Sequence, residues 1–190
     1  MEKVDLFDLI ERMSALIRSE ERKKCTAVGL QAVHLQALNY LSRCNKYSDT
    51  PGALTNYLGM TKGTVSQTVS LLEKKGYIKK TTDPYDGRVV HLELLPEGRK
   101  ILERAKPAEL FIKAVAMMEK KEEDILSYEI AFAKTLAALQ KANRTQSFGV
   151  CETCHYFTVA DDGFLCGLIK QPLSQTDIEK ICQDHTMVLW

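Results

Sequence analysis

Three features of the 190-residue sequence predict a mainly helical fold of the α+β kind. Residues 54–88, LTNYLGMTKGTVSQTVSLLEKKGYIKKTTDPYDGR, read as a helix, a tight turn, a second helix and a basic hairpin. Apolar residues recur at helical spacing on both sides of that block. Four cysteines then gather between residues 151 and 182, in a segment too short to carry a large core of its own.

The elements follow in order. Leu6, Ile10, Met13 and Ile17 form one apolar stripe on a first helix. Gly29–Arg43 reads as a second helix carrying Leu35, Leu38 and Leu41. Pro51–Leu58 is a third, with Pro51 at its start, where the missing N–H costs nothing. Gly59-Met60 makes the turn, and Thr61 can cap the next helix through its hydroxyl. At about 100° per residue, Thr61, Val65, Val69 and Leu72 fall on the side expected to be buried. Gly63, Ser66, Gln67, Ser70 and Lys74 fall on the other. Gly76 stops this helix. A strand begins at Tyr77, Asp86-Gly87 signals the hairpin turn, and Val90, Leu92 and Leu94 alternate along the return strand. Pro96-Glu97-Gly98 opens a long basic helix, EKKEED at 119–124 is a charged break, and Ile125, Phe132, Leu136 and Leu139 form a last stripe ending near Asn143.

This order is that of a winged helix-turn-helix, which places a second helix in the major groove of duplex DNA. The outer face of helix 61–75 carries small hydroxyl and amide groups with a cation at its end, which suits base edges flanked by phosphates. An ordinary solvated face would carry more Glu and Lys. Arg88 at the hairpin tip can enter a minor groove, and Asp86 can orient its guanidinium. The plainer reading of Asp86 and Arg88 is a surface ion pair worth little.

Leu54-Thr55, Gly63-Thr64-Val65-Ser66, Leu71–Ile78 and the Asp83…Asp86-Gly87-Arg88 hairpin together resemble the MarR family of bacterial transcriptional regulators. The resemblance spans residues 1–143, with the helix-turn-helix at about 51–76 and the wing at about 77–95. It implies a homodimer with interleaved terminal helices on a pseudo-palindromic operator in double-stranded DNA. It also implies a repressor released by a small-molecule effector or by oxidation. On the same ground, Thr61, Lys62, Gly63, Thr64, Ser66, Gln67, Ser70 and Lys74 are expected at the major groove, and Asp86 and Arg88 at the minor groove. Residues 144–190 depart from the usual family pattern.

Charge is unevenly divided. Residues 1–144 carry 24 Lys/Arg against 19 Asp/Glu, and residues 145–190 carry 2 against 6. The basic front suits a DNA partner, and the acidic tail is expected to lie away from phosphates, packed on the dimerisation helices. No apolar run reaches the roughly 20 residues of a membrane span. Residues 1–13 lack the pattern of a signal peptide, so a cytoplasmic location is expected.

In that compartment a cysteine cluster points to metal or redox chemistry rather than to structural disulfides. Cys151-x2-Cys154 places two thiolates on one tight loop, and Cys166 and Cys182 complete four ligands. The segment's own core is weak, comprising Tyr156, Phe157, Phe164, Leu165, Leu168 and Ile169, and a metal would staple it. Residues 177–182 read as a short helix delivering Cys182. His155 and His185 lie close enough in sequence to replace a cysteine, although solvated or hydrogen-bonded side chains explain them more simply. Zinc is favoured, an iron–sulfur cluster is the alternative, and a thiol switch is a third reading. Cys25 and Cys44 read as small buried hydrophobes. No nucleophile–base pair or phosphate-binding glycine loop points to an enzyme. A DNA-binding regulator with a tail metal is therefore expected. The alternative is a metal- or redox-responsive protein using the winged helix as an interaction module.

Overall fold

The computed structural model describes residues 5–106, 108–119, 121, 124–143, 147–160 and 163–186. Helix α1 (Leu6–Val28) starts at an Asp5–Asp8 capping box, in which each carboxylate accepts the other residue's backbone N–H. Gly29 ends it in the left-handed region at φ 66°. The predicted helix 29–43 is accordingly shorter. Helix α2 runs Ala32–Arg43, because Gly29 caps the preceding helix and does not start the next.

Helices α3 (Pro51–Leu58) and α4 (Lys62–Lys74) form the helix-turn-helix, with Gly59 as the left-handed cap between them. Thr50 and Thr61 cap the two N-termini through their hydroxyls. Strands β1 (Ile78–Thr82) and β2 (Val90–Leu94) pair antiparallel from Ile78↔Leu94 to Thr82↔Val90. The core under this unit comprises Leu35, Leu38, Tyr40, Leu54, Val65, Val69, Leu72, Ile78 and Leu92, each no more than 2% exposed.

The expected long helix after the wing is broken. Helix α5 (Pro96–Ala105) stops at Lys106, which adopts φ 45°, and α6 (Glu109–Glu119) follows. Lys106 ends α5 as a left-handed cap, its N–H donating to the Leu102 carbonyl at 2.8 Å, and the next residue in the sequence, Pro107, has no N–H to continue the helical ladder. Helix α7 (Ile125–Ala142) begins at the Asp124 cap; residues 120, 122 and 123 of the charged break lie outside the described residues. The predicted stripes do not close within one chain. Leu6, Met13 and Ile17 on α1, Phe111 and Ile112 on α6, and Phe132, Leu136 and Leu139 on α7 are all exposed. Lys24 of α1 forms an ion pair with Glu109 of α6.

The tail folds as two small sheets around a 3-10 turn at Cys151–Thr153. Strand β3 (Gly149–Val150) pairs with β7 (Ile181–Cys182), while β4 (Phe157–Ala160), β5 (Gly163–Cys166) and β6 (Gln171–Leu173) form a meander. Cys182 therefore lies on a strand and not on the expected helix, since α8 covers only Gln175–Ile178. The tail also packs elsewhere than expected. Ile181 is buried in the winged-helix core and bridges to Cys44 at the end of α2, and Phe148 stacks edge-on to Tyr57 of α3 at 5.1 Å. Apolar contact with α2 and α3 outweighs the charge argument that would have sent this segment to the dimerisation helices.

Candidate nucleic-acid interface and cysteine cluster

Helix α4 presents the expected polar face. Thr61, Lys62, Gly63, Thr64, Ser66, Gln67, Ser70 and Lys74 are all exposed. The buried face differs at two positions: Thr68 joins Val65, Val69 and Leu72 in the core, whereas Thr61 stays exposed as the cap. A cap lies outside the helical turn it closes, so it does not follow the helix's angular pattern. The Thr61 hydroxyl accepts the Thr64 N–H at 3.2 Å and lies 2.9 Å from the Thr64 hydroxyl.

The wing tip falls where the sequence places it, at Asp83–Arg88, with the Val89 N–H donating to the Asp86 carbonyl at 2.9 Å across Gly87-Arg88. Its loop spans 83–89, closed by the Asp83 N–H donating to the Val89 carbonyl at 3.0 Å. Asp83 Oδ1 accepts the N–H groups of Tyr85 (2.7 Å) and Asp86 (2.8 Å), which holds its carboxyl below the usual carboxylate range. Asp86 in turn accepts Arg88 through Nε (3.0 Å), Nη2 (2.9 Å) and the backbone N–H (3.0 Å). The Arg88 side chain is 91% exposed, so it is aimed and still free to meet a partner. Glu73 of α4 pairs with Lys80 of β1 at 2.8 Å, which ties the wing to the presented helix.

Sequence reasoning missed a second anchor. His91 of β2 stands between two carboxylates: Nδ1 is 2.5 Å from Asp49 Oδ1 and Nε2 is 3.1 Å from Asp83 Oδ2. The hydrogen bond to Asp49 raises the His91 pKa. Burial raises Asp49, with the His91 hydrogen bond opposing it. Asp49 lies 42 residues before His91, so periodicity and local spacing carry no signal of the pair.

The four tail cysteines come together. Antiparallel pairing of Gly149 with Cys182 brings Cys182 beside Cys151, and pairing of Phe157 with Cys166 brings Cys166 toward the Cys151–Cys154 turn. All four line one cavity of about 20 Å³, together with Asn45, Tyr47, Phe157 and Leu173. None is in a disulfide. Asn45 Nδ2 donates to Cys151 Sγ at 3.3 Å, and the Thr186 N–H donates to Cys154 Sγ at 3.4 Å. The interaction between Cys151 and Cys182 raises the first thiol and lowers the second. Among the described residues, no three His, Cys, Asp or Glu side chains are grouped so as to hold a metal ion as they stand.

Neither histidine lines the cysteine cavity. His155 is exposed beside Tyr156. His185 is buried, with Nε2 3.1 Å from Thr153 Oγ1. Cys25 and Cys44 are buried as expected, and burial pushes the Cys44 thiol up to about 12.

Residues 28–89, from the end of α1 through the helix-turn-helix and most of the wing, match the MarR family. This segment is similar to the winged helix of that family. The chain is 25% identical over 137 residues to the uncharacterized HTH-type transcriptional regulator YsmB of Bacillus subtilis, covering 72% of this chain and 89% of that protein. It is 26% identical over 106 residues to the transcriptional repressor MprA of Escherichia coli, covering 56% of this chain and 60% of the repressor. Among solved structures, a point mutant of MepR from a multidrug-resistant Staphylococcus aureus isolate superposes with a TM-score of 0.60 at 22% identity, over 74% of this chain and all of the other. Apo MarR from E. coli gives 0.53 at 20% identity, over 72% and 99%. These likenesses establish the MarR-type winged-helix fold. Among the described residues, no helix is long and apolar enough to cross a membrane.

Proposed function

We propose that this chain is a MarR-type transcriptional regulator that binds duplex DNA as a homodimer and acts as a repressor. The observation that carries the reading is the paired presentation of two elements. The α4 face with Ser66, Gln67 and Ser70 stands free, and Arg88 is held by Asp86 at an exposed wing tip. Hydroxyl and amide groups suit base edges, and a fixed guanidinium suits a narrow minor groove. YsmB is named a transcriptional regulator and MprA a repressor, and both names agree with this assignment. A symmetric partner would cover the exposed apolar faces of α1, α6 and α7. The experiment is binding to duplexes selected in vitro from random sequence. Enrichment of a palindromic motif supports the reading, and binding without sequence preference refutes it.

The tail adds a metal site to this reading. Cys151, Cys154, Cys166 and Cys182 would hold zinc, closing a structural four-thiolate centre. The support is the donor chemistry, namely four free soft sulfurs facing one cavity, two of them accepting N–H groups. Elemental analysis and an absorption spectrum of protein purified without oxygen test it. One colourless zinc per chain is expected. Iron with sulfide and a brown colour would replace zinc with a cluster, and metal-free protein would leave a thiol switch.

A further inference from the structure

Asn45 belongs to the winged-helix domain, on the loop between α2 and α3, yet its side chain reaches the tail cysteines. It is 1% exposed. Its amide donates to Cys151 Sγ at 3.3 Å, its backbone N–H donates to the Ile181 carbonyl beside Cys182 at 3.0 Å, and its Oδ1 accepts the Tyr47 N–H at 3.0 Å. The loop continues without a gap. Ser48 is fully buried; its N–H donates to the Asn45 carbonyl at 3.0 Å, and its hydroxyl accepts the N–H of Gln183, next to Cys182, at 3.0 Å. Asp49 follows. Its carbonyl accepts the Leu92 N–H at 2.7 Å and its carboxylate holds His91, which holds Asp83 at the base of the wing.

The geometry points to residues 45–49 as a strap that carries the state of the cysteine centre to the DNA-binding wing, with Asn45 as the group that reads the centre. The inference rests on the metal-site reading of the tail. Its physical content is continuity. The links are hydrogen bonds of 2.5 to 3.3 Å among buried and half-buried groups, and the same strap leads directly into α3. A thiolate bound to a metal is a fixed, charged acceptor for the Asn45 amide, whereas a thiol is a weak one that rotates. Metal loading would therefore fix Asn45, and Asn45 fixes Ser48 and Asp49. Asp49 places His91, and His91 places Asp83, whose carboxylate organises the wing loop.

The experiment is hydrogen–deuterium exchange of peptides covering residues 82–90 in the full-length protein, with and without stoichiometric zinc. Zinc content is measured on the same samples. Zinc is expected to slow wing exchange by at least about threefold in the wild type. Asn45→Ala is expected to bind zinc and lose that response. Should Asn45→Ala fail to fold, His91→Gln cuts the same chain at its far end, away from the sulfurs, and is expected to lose the response too. If zinc binds but leaves wild-type wing exchange unchanged, or if a folded variant keeps the full response, the strap is overturned while the metal site stands. If the wild type takes up no zinc, the metal-site reading falls and takes the strap with it.

Discussion

His91 and Asp49 are 42 residues apart in sequence and 2.5 Å apart in space. The contact fastens the return strand of the wing to the loop that enters the helix-turn-helix, and His91 Nε2 fastens the same ring to Asp83. One imidazole thus fixes the wing against the body of the domain.

The wing anchor is expected to weaken as pH rises. His91 holds its proton more tightly in the folded chain, first because of its hydrogen bond to Asp49. Its contribution is therefore complete below the ordinary histidine value of about 6.5 and is lost as pH climbs through the raised folded value. Asp49 is raised by burial, so it too favours the folded state at lower pH, in the carboxylate range. Asp83 acts oppositely: the backbone N–H groups of Asp86 and Tyr85 lower it, and its contribution is lost as pH falls through the lowered value. Within this cluster, the histidine governs above about pH 6. Thermal melting between pH 6 and 8 should show the stability advantage of the wild type over His91→Gln shrinking as pH rises, whatever slope the lowered His34 and His185 add to both.

Arg88→Ala should weaken binding to a selected duplex by about 1–3 kcal/mol, a loss of roughly 5- to 150-fold. The side chain is 91% exposed, so the melting temperature should be unchanged. Fluorescence anisotropy and a thermal melt decide it together. A loss of affinity accompanied by a lower melting temperature would assign Arg88 to the fold instead.

Gly98→Ala should destabilise the protein although it improves helix propensity. Alanine favours a helix over glycine by about 1 kcal/mol. A Cβ at this position would stand 2.4 Å from the Tyr77 carbonyl oxygen and 2.7 Å from Leu94 Cδ1. A backbone oxygen cannot swing aside as a side chain can, so a clash costing about 1–3 kcal/mol outweighs the propensity gain. Urea denaturation measures the sign.

Ile181→Ala should loosen the tail from the domain. Ile181 is 8% exposed and sits in the winged-helix core, where truncation costs about 2–5 kcal/mol. Limited proteolysis should cut the tail of the variant faster than that of the wild type, with the helix-turn-helix still folded.

The exposed stripes should draw two copies together. Light scattering of the purified chain is expected to give twice the 21.5 kDa chain mass, and the double change Phe132→Glu and Leu136→Glu to give the monomer. A monomeric wild type would contradict this.

Local chemistry determined much of this protein in advance. The helix-turn-helix could be read because its signals act within a few residues: Pro51 at a helix start, the Gly59 turn, the Thr61 cap, and the period that separates Val65 and Leu72 from Ser66 and Ser70. The Asp86–Arg88 pair was equally legible, being two residues long. Local logic failed where two local signals compete, as at Gly29, which caps one helix where it was read as opening another, and at Lys106, where the approach of Pro107 breaks a periodic helix. The tertiary structure alone decided the rest. It set His91 between Asp49 and Asp83, buried Ile181 under α2, and brought Asn45 to Cys151 across 106 residues. Hydrogen bonds and apolar contacts of that kind depend on where the packed core carries each loop. That position is a property of the whole chain and leaves no periodic mark on the sequence around it.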